Sequence, residues 1–211
     1  PRRLKRLGLA ILCLLATQVL FGGLTVLLQL HSKVVAAHLG MGTGFFASLL
    51  WLYLSLHRSG GAPIQGPRWL PWLGGALVAF VYGQILLGGM VASHFASLVC
   101  TDFPTCHGQW FPTFQGIIGL HIVHRLGAYF ICFSIIVSWF LWRRVKSAQA
   151  VWRYSNWMLA LVFMQIAIGI ANVIFYTPPI IAVAHLATAT AILGFSVAQL
   201  HTLFFGARIK A

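Results

Sequence analysis

The chain has 211 residues, of which 60% are hydrophobic and 7% charged, and a single acid, Asp102, stands against fourteen Lys and Arg. A soluble domain carries about 25% charged residues to dress its surface, so an ordinary soluble globule is excluded. Disordered, collagen-like and disulfide-dense secreted classes are excluded too, because apolar content is too high and four cysteines are too few.

Six apolar stretches are each long enough for the roughly 20 helical residues that cross a hydrocarbon core. The first is expected near 7–30, after the basic run Arg2, Arg3, Lys5, Arg6. The second is expected at 34–56, past His31-Ser32-Lys33, and a Gly/Pro-rich link from Ser59 to Pro71 with Arg58 and Arg68 nearby follows it. The third is expected at 69–94, and the segment from Val99 to Gln115 leads to the fourth at 117–142, which contains Arg125. A basic joint, Arg143 to Arg153, precedes the fifth at 153–176; Pro178-Pro179 precedes the sixth at 180–205, and Arg208 and Lys210 close the chain. Continuous apolar runs predict helices rather than barrel strands, which would alternate.

Twelve of the fourteen cations fall on alternate connections, with Lys33 on the opposite side and Arg125 inside a span. By the positive-inside rule both ends face the cytoplasm of a bacterial-type plasma membrane. The net charge of +13 is then topological, and a nucleic-acid partner loses its support. The eight tryptophans mostly flank span ends, as an aromatic belt does. The first span is too long, and lacks the small-residue site, for a cleaved leader.

Internal similarity carries the next step. Gln18-Val-Leu-Phe-Gly22 recurs as Gln84-Ile-Leu-Leu-Gly88 and as Gln165-Ile-Ala-Ile-Gly169. Gln165 follows Gln18 by 147 residues, as His185 follows His38, and Ala37-His38-Leu39 matches Ala184-His185-Leu186. A helix pair is therefore duplicated. Residues 67–211 read as one complete four-helix unit, and 1–66 as the second helix pair of a similar one. An eight-span parent of two pseudo-symmetric four-helix bundles is expected, with the missing pair upstream of Pro1.

The repeats bring His38, His124 and His185 to similar depth near the outer face. Ionisable groups at membrane depth are costly and usually face a bundle interior, although a core histidine bonded to a carbonyl is the bland alternative for each. For His124 and His185, on neighbouring helices, axial ligation of one haem iron is the sharper reading. Arg125 needs an anion that a haem propionate would supply, or else it snorkels outward. His121, on the same face as His124, could compete for the iron or meet the propionate. Cys100 and Cys106, six residues apart on the oxidising side, suit a short disulfide loop, with a metal role alongside His107 as competitor. Cys13 and Cys132 read as small apolar residues within spans. Gly22, Gly23, Gly88, Gly89 and Gly169 read as close helix contacts or as room for a macrocycle.

Together the Gln-x-x-x-Gly-Gly helix, the Cys-Thr-Asp-Phe-Pro-x-Cys loop, the His-Arg-Leu-Gly of the fourth helix and the terminal Ala-His-Leu resemble haem A synthase, essentially along the whole chain. That resemblance implies eight spans in two halves and oxidation of the C8 methyl of haem O to the formyl of haem A, by successive hydroxylations and loss of water. It implies a haem b between His124 and His185. It also implies a substrate-haem side to which His38 contributes, together with a second histidine and a glutamate. The chain contains no Glu, so it reads as an N-terminally truncated segment, inactive alone. Haem O, haem A, membrane lipid, a haem O synthase and cytochrome oxidase assembly factors are the partners so implied. The rivals are a cytochrome-b-like electron carrier, whose histidine pairs would be spaced along the same helices, and a haem-free transporter, for which no intramembrane acid is present.

Overall fold

The protein is described from a computed structural model that covers residues 2–57, 64, 67, 69–145 and 149–206. Arg58, Arg68, Lys146, Arg208 and Lys210 of the charge pattern, and most of the link after the second span, lie outside the described residues. Among the described residues there are six helices, α1 (Arg2–Leu27), α2 (Ser32–Leu56), α3 (Leu70–Ser93), α4 (Gly116–Arg143), α5 (Gln149–Ile174) and α6 (Pro179–Phe205), with one 3-10 turn at Ala96–Leu98. Each helix is long and apolar enough to cross a membrane. The protein is a multi-pass, all-helical membrane protein.

Helix α1 starts five residues before its expected boundary and α5 four, so Arg2, Lys5, Arg6 and Arg153 are themselves helical. Backbone hydrogen bonding continues past the apolar window wherever no breaker intervenes. The start of α6 is set by proline: Pro178 is extended at the cap and Pro179 takes the first turn, where its missing N–H costs nothing. Its end is set by Gly206, at φ +75°.

Helices α3, α4, α5 and α6 pack in a closed ring, each against the next and α6 back against α3. Helix α2 leans on the α3/α6 seam, and α1 packs on α2 alone among the helices. All four helices of the ring supply its core, which includes Val81, Ile85, Ile131, Ile135, Met158, Val162 and Leu193. Lipid is as apolar as these side chains, so close packing and satisfied polar groups hold the ring rather than water exclusion. At the end far from the 94–115 loop, Gln199 donates to Ser155 Oγ at 2.7 Å and to the Val151 carbonyl at 3.3 Å. The large exposed apolar side chains of α1, such as Val19 and Leu27, suit lipid contact. Cys13 belongs with them: it is exposed rather than packed.

The duplicated pair is duplicated in its backbone. Helices α1 and α5 both end on two successive left-handed residues, Gln29-Leu30 and Tyr176-Thr177, with φ between 47° and 60°. In both links an N–H closes a six-residue ring at 2.7 Å, Leu30 to the Thr25 carbonyl and Thr177 to that of Asn172. None of these four residues is glycine, and Gln-Leu shares nothing chemically with Tyr-Thr. The turn is therefore imposed by the two helices it joins rather than announced by local sequence.

Candidate functional site in the helix ring

Each of the three sequence-predicted histidines rests on a glycine. Four residues after a glutamine, on the same helical face, the glycine opens its helix surface to the ring on the next helix. A Cβ at Gly22 would lie 3.0 Å from His38 Cε1, one at Gly88 3.0 Å from His124 Cε1, and one at Gly169 3.1 Å from His185 Cε1. The Gln-x-x-x-Gly repeat is thus a cradle for an imidazole edge. This is a third use of these glycines beside close helix contact, which Gly89 makes with Leu39.

The structure brings His124 and His185 together: their ring centres are 6.4 Å apart with planes at 67°. Two imidazoles sharing one metal at metal–nitrogen distances of about 2 Å place their ring centres roughly 6 Å apart. Both line a cavity of about 420 Å³ among α3, α4, α5 and α6, within the size range of pockets that hold small molecules. Its wall is mostly apolar, with Gln84, Gln165 and Asn172 among the polar exceptions. His38 does not line it; it lies between α1 and α2 against Gly22, with Nδ1 buried and unpartnered.

His121 lines the same cavity as His124, one turn earlier on α4. It is buried, and its Nε2 accepts a hydrogen bond from Arg125 Nε at 3.3 Å. Arg125 also donates from Nη1 to the Thr105 carbonyl at 2.9 Å and from Nη2 to the carbonyls of Asp102 and Cys100 at 3.0 and 3.3 Å. The anion that the sequence argument required is therefore not needed to satisfy the guanidinium. Four of its five N–H groups are engaged by the loop and His121, although it still lines the cavity. What was missing from that argument was the loop's return over the start of α4.

The loop itself is stapled. Cys100 and Cys106 form a disulfide with Cα atoms 4.8 Å apart, and both residues are fully covered. Inside it, Asp102 accepts from the Thr105 hydroxyl and from the N–H groups of His107 and Gly108. The Thr105 hydroxyl first, and then the Gly108 and His107 amides, hold its carboxyl well below the usual carboxylate range. Phe103, at the loop tip, lines the cavity and sits 5.7 Å beneath the Arg125 guanidinium. Ser97 and Phe103 bring this segment to the cavity wall.

A fit to porphyrin iron can be tested on these residues. Among the described residues no group of three or more His, Cys, Asp or Glu side chains gathers as a metal centre, whereas a bare zinc-type ion takes three or four protein ligands. Two opposed imidazoles are the donor set wanted by an iron whose remaining positions a macrocycle fills. The glycine cradles and the mostly apolar cavity suit the same group.

The COX15-CtaA family model, described as a cytochrome oxidase assembly protein, matches residues 1–197. A heme A synthase of Shewanella oneidensis is 32% identical over 209 residues, covering 88% of this chain and 62% of its own length. A heme A synthase of Parvibaculum lavamentivorans is 26% identical, covering 88% and 56%, and one of Symbiobacterium thermophilum is 29% identical, covering 79% and 57%. The chain spans less than two thirds of the length of these curated relatives.

Proposed function

The chain belongs to the COX15-CtaA family of cytochrome oxidase assembly proteins, and from that membership we propose that it works in haem A biosynthesis as a haem A synthase, an oxidoreductase. The reaction is oxidation of the C8 methyl of haem O to the formyl of haem A. The observation that carries this reading is the His124–His185 pair at 6.4 Å, each ring seated on a glycine of the neighbouring helix.

Residues 67–211 would act as the haem-b half, in which His124 and His185 would hold the iron, and 1–66 would belong to the substrate-haem half, to which His38 would contribute. Haem b, when bound, supplies reversible one-electron chemistry at its iron. This chain's residues orient and enclose it. The Gly88 and Gly169 surfaces set the ring positions, the apolar wall keeps water out, and the stapled loop covers the exposed end. Arg125 ties that cover to α4 one residue beyond the ligand, with one N–H left for a propionate. Both ends of the chain face the cytoplasm, so the disulfide lies on the oxidising side, where such bonds persist.

A reduced-minus-oxidised spectrum of the purified chain tests the cofactor. A low-spin b-type signature is expected, and a chain without any haem band would return the transporter reading to first place. Chromatography of the haems extracted from cells expressing the protein tests the reaction: haem A is the expected product, and haem O unchanged beside an intact b-type spectrum would favour the electron carrier.

Gly88→Val supplies a second check. The Cβ alone comes within 3.0 Å of His124 Cε1, and two further methyl groups leave the ring no place, an overpacking that costs about 1–3 kcal/mol. The ring moves off its position, and spectroscopy of Gly88→Val is expected to show loss of the low-spin form. Gly88→Ala, which asks the ring to give by only a few tenths of an ångström, is expected to retain it.

A further inference from the structure

The three glutamine–histidine pairs share a sequence pattern, yet only at His124 does the ring Nδ1 have a hydrogen-bond partner. Gln84 Nε2 donates to the backbone carbonyl of His124 at 2.7 Å and lies 3.1 Å from the Nδ1 of the same residue. One amide nitrogen thus uses its two hydrogens on the backbone and on the ring, and the ring is gripped from behind. In the other two pairs the ring nitrogens His185 Nδ1 and His38 Nδ1, and the amide oxygens Gln165 Oε1 and Gln18 Oε1, are buried without a partner. His124 is the ninth residue of α4, whereas His38 and His185 are the seventh of α2 and α6. All three rings nevertheless meet the repeat glycine of the partner helix at 3.0 to 3.1 Å, so the extra grip on His124 is not a change of register.

We propose that Gln84 is the positioning residue of the haem site, and that the two axial histidines are consequently inequivalent, His124 held and His185 displaceable. This rests on the reading of His124 and His185 as iron ligands. Metal-binding histidines almost always engage their second ring nitrogen, which fixes the ring's orientation and raises its basicity as a ligand. A side-chain amide carries both donors and an acceptor. As placed here the amide donates to Nδ1 while Nε2 carries the ring's proton; with Nε2 on a metal, Nδ1 carries that proton, and the Gln84 amide serves it by turning Oε1 to accept, giving up the bond to the His124 carbonyl. His185 has a glycine cradle but no hydrogen bond to its ring, so its ring is the less constrained of the two.

Two measurements on the purified chain test this. The first uses nitrogen-15 NMR of the histidine rings without haem, in wild type, Gln84→Leu and Gln165→Leu. The His124 Nδ1 resonance is expected to move in Gln84→Leu only, while the His185 resonances hold and report an intact fold. The second is titration with iron protoporphyrin IX, followed by its low-spin absorption. Losing the partner of a metal-bound histidine weakens affinity by about 10–100-fold. That loss is expected for Gln84→Leu and for Gln84→Asn, whose shorter amide falls short of the ring, whereas Gln165→Leu stays within about threefold of wild type, below that range. In carbon monoxide titrations of the reduced protein, His185 is the ligand replaced. Equal losses in Gln84→Leu and Gln165→Leu, or an unmoved His124 Nδ1 in a protein that does take up haem, would overturn the role of Gln84 alone. A wild-type chain that takes up no haem would overturn the ligand reading beneath it.

Discussion

Replacing His124 or His185 with alanine is expected to abolish the low-spin b-type spectrum outright, while the protein still inserts with its helices intact. Low-spin porphyrin iron needs a donor on both faces, and alanine offers none. His121 is the nearest candidate to replace His124 on α4, and its Nε2 is engaged by Arg125. Neither substitution touches the closed-ring core of α3 to α6, so insertion and helical content are expected to match wild type by circular dichroism. Unaltered spectra in both variants would remove the ligand assignment. A spectrum kept in His124→Ala but lost in His124→Ala/His121→Ala would transfer the role to His121.

Arg125→Leu is expected to have the second largest effect, and to have it at a distance. The guanidinium satisfies three loop carbonyls at once, those of Cys100, Asp102 and Thr105. Hydrogen bonds to a charged group contribute about 1.5–3 kcal/mol each where they are dry. These are half-buried, so a total near 3 kcal/mol is the expected scale, about a hundredfold in the closed-to-open ratio of the loop. Amide hydrogen exchange across residues 100–109 is expected to rise by that order while the helical core stays protected. Arg125→Lys is expected to fall between, since an ammonium keeps the charge but cannot span three carbonyls with a planar fork. Exchange unchanged in Arg125→Leu would mean that the disulfide and the Asp102 turn hold the loop without help.

Much of the site was legible before any coordinates. The spans follow from apolar runs alone, because a bilayer demands about 20 such residues whatever the packing. The matching Gln, Gly and His positions revealed the duplication because identical side chains recur at one interval. Other parts were hidden for identifiable reasons. The left-handed links carry different residues in the two copies, Gln29-Leu30 and Tyr176-Thr177, so identity could not reveal an identical backbone. Glutamine was read only as a register mark, because nothing in its spacing says whether it reaches a ring. Arg125 was assigned a missing anion because its partners are main-chain carbonyls twenty or more residues upstream, and carbonyls have no sequence signature.

What the sequence by itself determined is the membrane class, the number of spans, the repeat and the residue types able to hold an iron. Each depends on composition or on spacing along one helix, and both are properties of a linear chain. Only the tertiary structure decided which histidine faces which across the ring, which glycine each rests on, and that Gln84 grips His124 while His185 goes unheld. Those outcomes depend on how far one helix is shifted against the next. A ring nitrogen 3.1 Å from its donor, as at His124, loses that bond if packing moves either group by about an ångström, and no linear pattern records such a distance.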